Sequence, residues 1–140
     1  MSGAGHWASK IFRIAYGAFY LLVGMYGGYS LLSGGGNPFG VEPGPGADFQ
    51  AALEETGFVV PIMLLCFSVG GAALLFARTA PLGIVLLAPF VVVIFFYHVM
   101  LGGSVAWAIF WAAGLAFLIY LFRARLGVLV GLSSGPASDR

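Results

Sequence analysis

Charge is almost missing from this chain. Six Lys and Arg stand against five Asp and Glu in 140 residues, 8% of the sequence with a formal balance of +1, where ordinary soluble domains carry about 25% charged residues. That composition excludes a water-soluble fold. It also excludes a basic surface able to follow phosphates, so nucleic acid is ruled out as a partner. Cysteine is nearly absent as well: Cys66 stands alone, which leaves no intramolecular disulfide, no CxxC redox pair and no Cys-based zinc or iron–sulfur site. There is no Ser/His/Asp set, no carboxylate pair within an apolar segment, and no Walker or dinucleotide glycine motif after a strand. The sequence encodes no catalytic constellation, so any chemistry needs a bound cofactor or a second subunit.

What fills the chain instead is apolar sequence, 61% of the residues, with a mean hydropathy of +1.02. Residues 14–32, 58–77, 82–101 and 105–122 contain no formal charge, and each is long enough to cross a hydrocarbon core of about 30 Å at about 1.5 Å per residue. None alternates with period two. Because backbone groups in lipid must be satisfied within the segment, each is predicted to be a helix. The expected fold is all-α: a polytopic membrane protein built as a four-transmembrane-helix bundle in one domain, with the lipid bilayer as its surroundings. The first apolar segment follows Lys10 and Arg13 as a signal peptide would, but it is long, rich in Tyr and Gly, and lacks an A-x-A site, so it is read as retained.

The basic residues fix an orientation. Lys10 and Arg13 precede the first span, Arg78 lies between the second and third, and Arg123, Arg125 and Arg140 follow the fourth, whereas 33–57 holds Glu42, Asp48, Glu54 and Glu55 without a base. By the positive-inside rule the tails 1–13 and 123–140 are cytoplasmic and the loop 33–57 is external. Residues 33–48 read SGGGNPFGVEPGPGAD, too rich in Gly and Pro for a helix. Asp48 then stands as an N-cap. Phe49, Ala52, Leu53 and Thr56 recur at helical spacing while Gln50, Glu54 and Glu55 point elsewhere, predicting a short external amphipathic helix that ends at Gly57. Arg78 to Pro81 and Gly102-Gly103-Ser104 are tight turns. Gly17, Gly24 and Gly28, the strip 69–73, and Ala108, Ala112 and Ala116 are the predicted close contacts, within the bundle or across a homo-oligomer.

The only ionisable group well inside a span is His98, near the outer end of the third. Intramembrane ionisable residues are costly and mark candidate sites. Tyr29 and Trp107 lie at the same depth, with Tyr26 and Trp111 about one turn deeper. One imidazole among aromatic faces suits a flat ligand such as a quinone head group, or a lipid. The same residues also read as an interfacial aromatic belt with His98 bonded to a neighbouring helix. A two-histidine haem is excluded by geometry, since His6 and His98 fall on opposite sides, and a metal held by His98 with Asp48, Glu54 or Glu55 is a minor alternative. Cys66, near the bilayer centre, is read as inert.

The stretch LAPFVVVIFFYH at 87–98, the junction segment GAALLFAR at 71–78 followed by Pro81-Leu82-Gly83, Arg13 with Tyr16-Gly17 and Gly24, and Arg123 together resemble DoxX-like membrane proteins over about 13–125. The resemblance implies a four-helix integral protein of a bacterial inner membrane associated with redox systems: a non-catalytic membrane subunit or anchor of a quinone-linked complex with a redox protein partner. It leaves open a quinone-linked oxidoreductase in its own right or a small lipid-binding or transport protein. His98 matches the family pattern. The family often carries an acidic residue where this chain has Phe67 and Ser68, and an asparagine where it has Val93.

The orientation predicts that cysteines placed at Ser2 and Ser138 are protected from an impermeant thiol reagent in intact cells while one at Ala47 is labelled. The reverse labelling pattern would overturn it.

Overall fold

The computed structural model describes residues 3–35, 43–129 and 131. Five helices follow one another: α1 (Gly3–Leu32), α2 (Pro45–Glu55), α3 (Val59–Leu75), α4 (Ala80–Met100) and α5 (Val105–Leu129). The protein is all-α and polytopic. α1, α4 and α5 are each long and apolar enough to cross a membrane, and α2 meets α3 at a 92° bend. α3 has 17 residues, about 25 Å of helix, at the lower end of what a span requires. The bundle therefore has three candidate spans, or four with α3, and α2 turns away from the axis at the predicted external end.

The helix ends differ from the predicted ones for an identifiable reason. α1 begins at Gly3, so residues 3–13 are its first turns rather than a tail, and α5 runs on through Arg123 and Arg125 to Leu129. Absence of charge marks only the apolar part of a helix. Long basic side chains let it continue beyond, with their stems on apolar surface and their heads towards water. α2 starts at Pro45, with Gly44 at its N-cap in a conformation (φ 149°) that favours glycine and Asp48 one turn inside. Proline pre-sets the first turn and leaves no cap for Asp48 to make. α2 ends as predicted: Gly57 takes φ 74°. Of the Gly- and Pro-rich loop, 36–42 with Glu42 lies outside the described residues, as does the segment 132–140 with Arg140.

α1 packs on α3, α3 on α4, and α4 on α5. The adjacent glycines of α3 serve two different neighbours. A Cβ on Gly71 would overlap the backbone nitrogen of Leu21 and lie 2.6 Å from Gly17 O, while one on Gly70 would lie 2.9 Å from Leu87 Cγ on α4. Gly83 returns the contact, its hypothetical Cβ 2.6 Å from Gly70 O. Without a hydrophobic drive between helices in lipid, this close approach through small residues is what packs them. Of the predicted small-residue faces, Gly17 and Gly24 are contacts and Gly28 faces open space. The alanine row of α5 does not form one face: Ala108 is buried and Ala116 exposed. Gly114 is the close position there, against Tyr16. Leu22, Met25, Leu65, Val85 and Phe110 remain exposed, as lipid-facing side chains do.

Gly24 and Gly28 give a matched test on one helix. A side chain at Gly24 overlaps Ser68 and presses on Leu64 O at 2.7 Å, while Gly28 has nothing within 4 Å. Gly24→Leu is expected to lower stability by about 1–3 kcal/mol or more, as overpacking does, and Gly28→Leu to leave it nearly unchanged. Thermal unfolding in detergent reads the difference, and equal midpoints would refute the contact.

Candidate binding cavity beneath the second helix

The turn after α4 places His98. Gly102 adopts φ 92°, open to glycine at no steric cost, and Gly103 N donates to His98 O at 3.1 Å. Gly103 thereby lies flat against the imidazole, where any Cβ would overlap Nδ1. Ser104 accepts from Trp107 N at 3.4 Å, an N-cap that starts α5 and sets Trp107 on its first turn. Two consecutive glycines and one serine thus bring the end of α4 and the start of α5 to the same place.

Behind this turn lies a cavity of about 320 Å³, within the size range of small-molecule sites. Every helix contributes to it. Phe19, Tyr20 and Val23 come from α1, Met63, Leu64 and Phe67 from α3, Tyr97 and His98 from α4, and Trp107 and Trp111 from α5, with Phe49, Gln50 and Leu53 of α2 above. The inner wall is a packed aromatic group. Trp111 stacks on Phe19 at 3.9 Å between ring centroids, and Tyr20 meets Phe67 edge-on at 5.1 Å. Tyr16 fixes this wall by donating its hydroxyl to Trp111 O at 2.9 Å.

α2 covers the cavity because Gly46 lacks a side chain. A Cβ there would lie 2.8 Å from Tyr97 Oη and 3.3 Å from Leu101 O, so only glycine lets α2 rest on the end of α4. Phe49 then reaches the Tyr97 ring, 6.0 Å between centroids. Gln50, expected to point away, lies on the cavity side.

Two buried nitrogens of cavity-lining residues have no hydrogen-bond partner among the described residues: His98 Nδ1, which lies against Gly103, and Trp111 Nε1. Buried polar atoms are almost always paired, and an unpaired one costs about 1–3 kcal/mol. Trp111 is only 8% exposed, and its indole can donate but not accept. The site therefore offers an apolar lining of ring faces, the Trp111 indole and the His98 imidazole among them, to a flat ligand. His98 makes no bond to a neighbouring helix of the kind the belt reading required.

The cavity gathers His98, Trp107 and Trp111 from the predicted set. Tyr26 and Tyr29 stand apart from it, 59% and 71% exposed. Shared depth does not fix direction. On a helix turning about 100° per residue, Tyr29 falls nearly opposite the lining residue Leu31, two positions later. Sequence reasoning missed Tyr20, Phe67 and Tyr97, whose types are ordinary in a membrane core. Gly46 was the one available signal for the cover. No group of three or more metal-ligating side chains occurs among the described residues, and His98 is not gathered with Asp48, Glu54 or Glu55. No family model, no curated protein and no solved structure matches this chain.

Replacing Gly46 with Leu is expected to lift α2. Amide hydrogen exchange of residues 47–55 should then accelerate while that of α3 to α5 holds, and Ala51→Leu, at an exposed position of the same helix, should change neither. Equal exchange in wild type and Gly46→Leu would show that α2 is not seated through this glycine.

Proposed function

We propose that this small integral membrane protein binds a flat, apolar, carbonyl-bearing molecule of the quinone class in the cavity beneath α2, and acts as the non-catalytic membrane subunit or anchor of a quinone-linked redox complex. The observation that carries the reading is the apolar, ring-lined cavity to which Trp111 contributes, a residue whose Nε1 has no hydrogen-bond partner among the described residues. An indole N–H calls for an acceptor, which a quinone carbonyl supplies and an acyl chain does not. A ring between Trp107, Phe67 and Tyr20 gains stacking beyond simple burial. With the basic end of the bundle cytoplasmic, the cavity lies in the outer leaflet.

The DoxX-like resemblance belongs to this proposal and supports the redox association. The positions at which that family often carries polar groups are here Phe67, Ser68 and Val93; Phe67 and Val93 line the cavity, and the Ser68 hydroxyl is bonded to Leu64 O. That apolar lining favours binding over proton chemistry. An oxidoreductase acting alone requires a redox centre for which the chain has no motif, so a redox partner protein supplies the electrons.

Ubiquinone-1 binding to the detergent-purified protein, measured by equilibrium dialysis, tests the reading. Trp111→Phe and His98→Phe keep ring bulk and lose the directed bond, so affinity is expected to fall about tenfold in each, 1–2 kcal/mol. Tyr29→Phe, on the lipid face, should bind as wild type does. Equal binding by wild type and both cavity variants would leave the cavity without this role.

A further inference from the structure

A second hollow lies at the other end of the bundle, and we propose that it seats an anionic phospholipid, with the phosphate on Arg123 and an acyl chain running inward between α1 and α5. This groove encloses about 720 Å³. Gly5, Ala8 and Ser9 form its α1 wall, with side chains too small to fill it, and Phe117, Tyr120 and Arg123 stand on the α5 wall. The helices run antiparallel here, so Gly5 marks the mouth and Phe12 marks the inner end, where it meets Phe117 edge-on at 5.3 Å. The seven helical steps from Gly5 to Phe12 span about 10 Å, a depth that takes the upper part of an acyl chain.

Arg123 is held ready at the mouth. Its guanidinium lies 4.3 Å over the Tyr120 ring and gives one bond to Tyr120 O at 3.1 Å, which leaves further N–H groups of its fork for phosphate oxygens. The charge around it has one sign. Lys10, Arg13, Arg78, Arg123 and Arg125 all belong to this end, and the acidic side chains among the described residues, Asp48, Glu54 and Glu55, all belong to α2 at the other. Among the described residues no carboxylate competes with a phosphate for Arg123, and the basic cluster favours an anionic head group over a zwitterionic one. A second copy of this chain docking by the same face would bring like charges together.

Native mass spectrometry of the delipidated protein, offered equal amounts of phosphatidylglycerol and phosphatidylcholine, tests the assignment. Wild type is expected to retain phosphatidylglycerol about tenfold over phosphatidylcholine, the scale of a charge-assisted bond. Arg123→Gln should lose that preference, Arg123→Lys keep much of it, and Arg78→Gln, exposed at the same end but outside the groove, keep all of it. Ala8→Phe fills the groove without touching the charge and should retain neither lipid, provided its melting temperature matches wild type. Equal retention of the two lipids by wild type, equal losses in Arg123→Gln and Arg78→Gln, or a lipid-free dimer would each overturn the proposal.

Discussion

The bundle depends on how the C-terminal end of α3 is satisfied. A helix ends with carbonyls that have no partner of their own, and α3 ends against the basic face of a membrane protein with little water to serve them. Two side chains do so, and a third ties down the turn that follows. Arg13, from the middle of α1 and only 6% exposed, donates to Leu74 O. Thr79 Oγ1 donates to Ala73 O at 2.7 Å, and Arg125 Nη1, from the end of α5, donates to Ala77 O at 2.6 Å. Cations at a helix C-terminus also meet the negative end of its dipole. With no carboxylate at this end among the described residues, backbone carbonyls are what makes a buried Arg13 tolerable.

That contact sets the register of α1 on α3. Seven residues along from Arg13 and Leu74 lie Tyr20 and Phe67, which meet edge-on at 5.1 Å. Between these pairs Gly17 and Gly71 let the two backbones close, and beyond them Gly24 accommodates Ser68, whose hydroxyl is turned back to Leu64 O at 2.9 Å. A slip of one residue would set Tyr20 level with Cys66 or Ser68 instead of Phe67. The aromatic wall of the cavity is therefore a consequence of an arginine about 10 Å away along the helix. α1 and α5, by contrast, meet through rings, with Tyr16 bonded to Trp111 O and pressed on Gly114. Rings hold helices farther apart than glycines do, which is why both hollows lie along this one seam, on either side of Tyr16.

Much of this was legible in the sequence because the bilayer imposes simple rules. Charge-free runs gave the helices, the sign of the flanking charge separated the two ends, and the depths of His98, Trp107 and Trp111 brought them together across α4 and α5. Direction around a helix axis was not legible. α4 and α5 are apolar on all sides, so nothing in their composition separates a face turned to lipid from one turned inward. Tyr26 and Tyr29 share the depth of the cavity on a helix whose lining face is elsewhere. The docking of α2 was equally hidden, since it rests on the absence of a side chain at Gly46, and a glycine that follows Pro43-Gly44-Pro45 reads as loop.

The two ends of the bundle are built on opposite principles, and that difference bears on the cavity. At the basic end Arg13 and Thr79 bond carbonyls of the last turn of α3 and Arg125 bonds Ala77 O in the turn that follows, so moving Arg13 leaves a buried carbonyl unpaired. At the acidic end α2 is joined to α3 by a bend at Gly57 and lies on Tyr97 through van der Waals contact, with Thr56 Oγ1 bonding locally to Leu53 O at 2.6 Å. Lifting α2 breaks no buried hydrogen bond to α4 or α5 among those described. The cheapest opening of the molecule is therefore the one that uncovers Trp111 and His98, while the wall behind them stays fixed by the arginine at the far end. Under the proposed binding role, a ligand in the cavity would enter past α2.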